Sequence, residues 1–322
     1  MSELVTERLD WEVVLDRCWW HRIRPLTYRH LRELPDGRIP DHVLSELSGH
    51  ATELAIRGQR LAAVLEEVAR YFQQAGVRVL VFKGPTLCRD AYGDLALREC
   101  GDLDLIIDRT DFEQVSELLT TEGFTSWWER RDKNRQVFAC EFERADGTLD
   151  VHWDLAPSWF NYRVDFDRLW KSGTPLEAAC PLVRKLSIED SLAVLSIHGA
   201  KHWWERIRWI CDVAELINRG EIIDWNRVDE AARQANCRRT VALGTWLAGK
   251  LLSAKVPVAV MERLDGTPGI SGLGRQVSEW LRYAERGAER RRVGERFRFR
   301  MGLCEQPRDR LAQILRYLIS RP

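Results

Sequence analysis

The chain has 322 residues, and its 49 basic and 49 acidic side chains give a formal net charge of +0. No overall attraction to nucleic acid or to a membrane surface follows, so any basic binding surface must be local. With 45% hydrophobic and 30% charged residues, it has the composition of an ordinary folded protein long enough for a full core and two or three subdomains.

Eight cysteines are scattered without a Cys-x-x-Cys pair. That spacing argues against a zinc knuckle and gives a disulfide framework no support, leaving reduced, buried thiols as the expectation. The start, Met1-Ser2-Glu3-Leu4-Val5-Thr6-Glu7, is polar and acidic rather than a signal peptide, and no apolar run approaches a membrane span. A cytoplasmic protein without membrane partners is expected.

Residues 1–76 read as a helical N-terminal region. Trp11, Val14, Leu15, Cys18 and Trp19 recur at helical spacing, and Pro25 limits that segment. Leu34-Pro35-Asp36-Gly37-Arg38-Ile39-Pro40 is turn-like. Leu54, Leu61, Leu65, Val68 and Phe72 then line one side of a long amphipathic helix that Gly76 can close.

Between residues 77 and 155 the period changes. Val77-Arg78-Val79-Leu80-Val81-Phe82 is a strand leading into Lys83-Gly84-Pro85 and a short helix over about 86–92. Asp102-Leu103-Asp104-Leu105-Ile106-Ile107 alternates, which puts Asp102 and Asp104 side by side on one strand face. Two carboxylates that close repel unless a cation neutralises them, and a hard divalent ion such as Mg²⁺ is the usual solution. The same repulsion predicts that Asn at either position raises stability. Thr110 or Asp111 can cap a helix that ends at Gly123, and strands follow at roughly 124–130 and 136–143. In the next strand, 148–153, Leu149, Val151 and Trp153 take one face while Asp150 and His152 take the other, so a third carboxylate arrives.

Residues 156–322 read as a C-terminal helical domain. Ser187-Ile188-Glu189-Asp190 is a capping box opening a helical region that runs to Asn218, with Gly199 as a candidate split. His198, Lys201 and His202 stand at i, i+3 and i+4 and share a face if that helix is continuous. Without the glutamate of His-Glu-x-x-His they make a poor zinc site, and the face reads as one that covers a bound nucleotide or acceptor. Asp212 reads as an orienting partner for a cation or a backbone group.

With these pieces in place, residues 78–215 resemble the uncharacterised nucleotidyltransferase family of the DNA polymerase β-like superfamily. The resemblance is carried by Lys83-Gly84, Tyr92, Arg98, Asp102-Leu103-Asp104, Asp150-Val151-His152-Trp153 and His198-x-x-Lys201-His202. It implies an α+β fold, a minimal nucleotidyltransferase mixed sheet with flanking helices, between helical N- and C-terminal regions. It implies Asp102, Asp104 and Asp150 as catalytic carboxylates holding two Mg²⁺ ions, with Mn²⁺ as an alternative. Asp150 would bind the acceptor-side ion or take the acceptor's proton. Lys83, Gly84, Thr86, Arg98, His198, Lys201 and His202 would bind the nucleotide. This chain has Gly84-Pro85-Thr86 where many superfamily members have Gly-Ser or Gly-Gly. Pro85 offers no N–H to a phosphate, and the Thr86 hydroxyl is the substitute donor.

The function implied is transfer of a nucleoside monophosphate from an NTP, with pyrophosphate leaving. The acceptor is unknown, a small molecule or a peptide or protein side chain being favoured over RNA. The alternative is a non-catalytic nucleotide- or RNA-binding module that keeps the fold. Arg290-Arg291-Arg292, Arg296, Arg298 and Arg300 with interleaved Phe297 and Phe299 suit RNA, but Glu285, Glu289 and Glu295 dilute the charge. Arg98 has a bland reading too, an ion pair with Asp90 or Asp94.

Overall fold

A computed structural model of the chain describes residues 9–35, 37–126, 138–219, 222–282 and 293–319. Helix α1 (Trp11–His21) starts at Asp10, whose carboxylate accepts the Val13 N–H at 3.2 Å. Pro25 falls in the first turn of α2 (Arg24–Leu31), where its missing N–H would be unpaired anyway. Helix α3 (Asp41–Ala75) is the long amphipathic one, and Gly76 closes it with its N–H on the Phe72 and Gln73 carbonyls.

Strand β1 (Val79–Val81) runs into α4 (Gly84–Leu87), which a π-helical turn extends over Cys88–Tyr92. Strand β2 (Leu103–Ile107) is antiparallel to β1. Asp111 is the N-cap residue of α5 (Phe112–Thr121) but makes no side-chain cap bond; the capping carboxylate is that of Asp108, which accepts the Thr110 N–H at 2.8 Å and starts the 3-10 turn leading into the helix. Strands β3 (Thr125–Ser126), β4 (Ala139–Arg144) and β5 (Gly147–His152) follow, β4 and β5 as a hairpin. The remainder of the two strands expected at 124–130 and 136–143 lies outside the described residues.

After α6 (Phe166–Ser172) the sequence led us to expect helices alone, yet two more strands form, β6 (Thr174–Pro175) and β7 (Val183–Lys185). Strand β7 lies parallel to β1, in register Val79↔Val183 to Val81↔Lys185. Three residues, two of them basic, carry no readable period; pairing with β1 makes Val183-Arg184-Lys185 a strand. The mixed sheet has seven strands in the order β3-β4-β5-β2-β1-β7-β6.

The two-residue period divides the apolar side chains between two cores. Val79, Val81, Leu103, Leu105, Ile107, Leu149 and Val151 pack with the Leu61–Phe72 face of α3 and with Val115 and Leu119 of α5. Leu80 and Ile106 point the other way, into the core made by the C-terminal helices. Asp104 shares the face of Ile106, so it too looks toward those helices.

The C-terminal helices are α7 (Ile188–Lys201), α8 (Ile207–Asn218), α9 (Trp225–Gln234), α10 (Arg238–Leu252), α11 (Val258–Asp265), α12 (Ile270–Arg282), α13 (Val293–Leu303) and α14 (Pro307–Ile319). Ser187 caps α7 as expected, its hydroxyl accepting the Asp190 N–H at 3.2 Å. Gly199 does not split the helix. The chain reverses after Lys201, through left-handed Trp203 and Trp204 (φ 60° and 53°). A Cβ at position 199 would lie 2.4 Å from the Trp204 ring, so glycine there admits the tryptophan. No helix among the described residues is long and apolar enough to cross a membrane, and the eight cysteines are free thiols.

His21 joins the N-terminal helices to α8, its buried Nδ1 accepting the Ile207 N–H at 3.4 Å. Burial, then the charges of Arg17 and Arg206, lower its pKa from 6.5 to about 4. The unfolded chain therefore binds more protons than the fold between those values, so stability holds above pH ~6.5 and declines toward pH ~4 by up to roughly 3 kcal/mol. Denaturant unfolding of wild type and His21→Gln at pH 7 and pH 4.5 checks this. Wild type should lose more stability on acidification than the variant, and equal losses would refute the assignment.

Candidate active site

Strands β2 and β5 are parallel neighbours, and their register sets Asp104 directly opposite Asp150. Asp102 stands one residue before β2 and lines the same cleft, a cavity of about 640 Å³ between the sheet and the α7–α8 turn. The three carboxylates on their two strands thus converge. They are not equivalent: the Asp104 side chain is 3% exposed and that of Asp150 31%.

Lys83, at the end of β1, places its buried ammonium against Asp104 Oδ1. His152 Nε2 lies 2.9 Å from Asp150 Oδ2 and 3.6 Å from Asp104 Oδ1. Burial opposes the charge of Asp104, but Lys83 and then His152 outweigh it and hold that carboxyl well below the usual range. Asp102 shifts the other way, raised by burial and then by the charge of Asp104. The imidazole is held edge-on to Phe82 at 5.3 Å, and its pKa is raised: burial disfavours its charge, but Asp104 and Asp150 prevail.

Helix α7 and the turn after it bring His198, Lys201 and His202 to the same cleft. Lys201 Nζ sits 4.8 Å from the Phe138 ring centroid. Its pKa is lowered to about 8 by burial and then by Lys83, with Asp150 and Asp104 opposing. His202 stacks on Trp209 at 4.9 Å, with His198 4.8 Å from it. Burial, then the charges of Lys83 and Lys201, push the pKa of His198 well down.

Gly84 and Thr86, both expected at the nucleotide, are not among the residues that line the cleft. Gly84 has φ 64°, and a Cβ there would come within 3.0 Å of the Asp102 carbonyl oxygen, so its missing side chain lets the turn close on the strand that carries the carboxylates. Thr86 is buried and lines a separate pocket of about 310 Å³ with Lys185 and Ser187; it is not among the residues lining the carboxylate cleft. Arg98 lines the cleft but is paired, neither to Asp90 nor to Asp94. It donates to Asp212 through Nε (2.7 Å) and Nη2 (3.1 Å), and Tyr92 Oη donates to the same carboxylate at 2.7 Å. Asp212 is the orienting partner its sequence position suggested.

The far wall was not visible in the sequence. Trp20, Arg22, Arg206, Arg208 and Trp209 line it, brought from α1 and from the start of α8. Arg206 covers the Trp20 ring at 5.1 Å and Arg208 Nη1 donates to the Glu99 carbonyl at 3.0 Å. Nothing local marks these side chains, because the packing of α1 beside α8 is a long-range event.

Asp104, Asp150 and His152 each offer a ligand atom within 4.8 Å of one another. Asp104 Oδ1 and both His152 ring nitrogens are buried without a well-formed hydrogen bond. Two hard carboxylates beside an imidazole, with orphaned lone pairs, fit a divalent cation. Asp102 lies outside that trio but faces the same cleft.

A mixed sheet that sets two aspartates of an Asp-x-Asp strand against a third, with helices closing the cleft, is the arrangement of a nucleotidyltransferase-type α+β protein. Residues 7–253 match the family described as uncharacterised nucleotidyltransferase, and the chain belongs to that family. No curated protein matches the chain.

The Arg98–Asp212 pair is fully buried and joins the loop before β2 to α8. Burial opposes the charge of Arg98, but Asp212 pushes its pKa well up. Asp212→Ala strands that guanidinium and should cost roughly 3–5 kcal/mol. Tyr92→Phe, which removes one donor, should cost about 1–2 kcal/mol. Urea unfolding of both variants checks the ranking, and a larger loss from Tyr92→Phe would contradict it.

Proposed function

We propose that the protein moves a nucleoside monophosphate from an NTP to an acceptor group, releasing pyrophosphate, with a small molecule or a peptide or protein side chain as acceptor. The observation that carries this reading is the β2–β5 register, which faces Asp104 with Asp150 while Asp102 looks into the same cleft. A scaffold alone has no need of three clustered carboxylates, which are costly in a half-buried site.

Asp150 is the more accessible of the facing pair, so the acceptor's attacking atom would sit beside it and give up its proton there. Nε2 of His152 lies 2.9 Å from the receiving carboxylate. That atom bonds to the α-phosphorus as the bond to the α–β bridging oxygen breaks, and the electron pair leaves with pyrophosphate. Lys83 and Lys201 offer positive charge to the α-phosphate from opposite walls. Mg²⁺ or Mn²⁺ held by Asp102, Asp104 and Asp150 supplies charge neutralisation and activation of the acceptor when bound. The surrounding side chains position the reactants and exclude water.

An RNA-binding module is the competing reading, and the packing of α13 speaks against it. Phe299 is fully buried against Trp203 and Trp280. Arg296 is paired with Glu205 at 2.8 Å, and Arg300 lies over the Trp203 ring at 5.4 Å. Arg290, Arg291 and Arg292 lie outside the described residues.

The Lys83 contact separates the two aspartates in their effect on stability, against the symmetrical expectation from repulsion alone. Asp102→Asn relieves repulsion and should stabilise by about 1 kcal/mol, whereas Asp104→Asn leaves Lys83 buried without its carboxylate and should destabilise by several kcal/mol. Asp102→Asn is therefore the variant in which to test the reaction. Thermal unfolding with each NTP, with and without Mg²⁺, should show a metal-dependent stabilisation of about 2.7 kcal/mol near 100 times Kd. In Asp102→Asn the shift should vanish from a folded protein. An NTP shift indifferent to metal and to Asp102 would count against transfer and for a binding module.

A further inference from the structure

Helix α14 reverses the usual order of a surface helix, which turns its apolar stripe inward and its polar face to solvent. Asp309 and Gln313, at i and i+4, are buried against the body of the protein. Leu311, Ile314 and Leu315, at i, i+3 and i+4, stand 57%, 39% and 50% exposed. Hydrogen bonds hold this rotation. Asn161 Nδ2 donates to Asp309 Oδ1, and Asn236 Nδ2 reaches Asp309 Oδ2 at 3.4 Å. Gln313 Nε2 donates to the Trp159 carbonyl, and Asn236 Nδ2 also donates to the Asn161 carbonyl at 3.0 Å. A buried carboxylate is costly unless it is hydrogen-bonded. Half a rotation about the helix axis would hide the leucines but strip Asp309 of its partners. Single exposed apolar side chains are ordinary, whereas a contiguous stripe held outward marks a contact surface.

The charge beside the stripe identifies what it meets. At about 100° per residue, Arg308 and Arg310 fall on opposite sides of Leu311, at roughly 60° and −100°. Both are exposed. Arg308 Nε lies 3.8 Å from Asp309 Oδ1, yet its side chain keeps 63% of its surface in solvent. Asp309 is the helix's one acidic residue and is turned inward, so the outer face is apolar with a cation on either flank. That face complements a surface that is anionic outside and apolar beneath. Arginine stems lie along apolar surface while their guanidiniums stay in water and pair with phosphate. A second copy of the chain fits less well. Three apolar side chains a copy fall far short of the about 20–30 residues a side of a stable interface. Pairing α14 with itself would also set arginine against arginine.

We propose that α14 docks on an anionic phospholipid surface, with Leu311, Ile314 and Leu315 in the boundary between headgroups and acyl chains and Arg308 and Arg310 at the headgroup phosphates. A lipid surface yields to a convex helix and needs no matching groove. The contact is peripheral, because no helix among the described residues is long and apolar enough to cross a membrane. It is independent of the chemistry in the carboxylate cleft.

The experiment is co-sedimentation of the full chain with vesicles of phosphatidylcholine alone and of equal parts phosphatidylcholine and phosphatidylglycerol. Wild type is compared with the double variants Leu311→Ser, Leu315→Ser and Arg308→Gln, Arg310→Gln. Val258→Ser, an exposed apolar side chain on α11, is the control. Thermal unfolding verifies that each variant folds. Wild type should bind the mixed vesicles and not the phosphatidylcholine ones. At about fivefold per arginine, the arginine pair should weaken binding roughly thirtyfold. The leucine pair should weaken it by about tenfold or more. Val258→Ser should behave as wild type. Binding that survives both double variants would overturn the inference, as would a wild type that ignores both kinds of vesicle. Sedimentation equilibrium without lipid tests the rival occupant. A monomer is expected, and a dimer that the leucine pair dissolves would overturn the lipid reading and assign the face to a second copy.

Discussion

Lys83 and Asp104 are both withdrawn from water, and neither charge is tenable there alone, since an unpaired buried ion costs several kcal/mol. The pairing of β1 with β2 brings them together: the Phe82 N–H reaches the Asp104 carbonyl at 3.3 Å, so the strand register delivers the ammonium to the carboxylate. With that charge in place, the middle of β2 can carry an aspartate between Leu103 and Leu105, both fully buried. The next strand, β5, then sets Asp150 opposite it, and His152 bridges the two. A sheet face that should repel itself is thereby held together, and a second cation would complete it rather than disrupt it.

The sheet governs one wall of the cleft and a single turn governs the other. Trp203 and Trp204 both adopt left-handed backbone, which costs a non-glycine residue about 1–3 kcal/mol. Burial of the whole Trp204 side chain, against the bare backbone of Gly199, is large enough to offset it. The reversal swings the chain from α7 into α8, so that Lys201 and His202 at the end of one helix and Arg206 and Arg208 at the start of the next face the same space. The basic wall is thus a product of apolar packing behind it.

What the sequence could show follows from what local periodicity records. A two-residue period reports faces, so Asp102-x-Asp104 and Asp150-x-His152 could be read as polar faces of buried strands before their pairing was known. Helical spacing reports stripes, so His198, Lys201 and His202 could be grouped, and Ser187 recognised as a cap. Partners distant along the chain leave no such trace. Arg98 meets Asp212 rather than its neighbours Asp90 or Asp94, and β7 becomes a strand only because β1 lies beside it. Gly84 could be flagged as special, but its close approach to the Asp102 carbonyl depends on strand pairing that leaves no local trace. Arg22 reads as a polar residue at a helix end until α8 is laid against α1.

That last case bears on how the site divides its labour. Carboxylates fixed to adjacent strands hold their separation with the rigidity of a hydrogen-bonded ladder, which suits groups that must define an attack line. Guanidiniums on two different helices depend on the packing of those helices, so their spacing shifts if α1 moves against α8. Two contacts between α1 and the start of α8 lie in this region: the Ile207 N–H on His21, and Arg206 over Trp20.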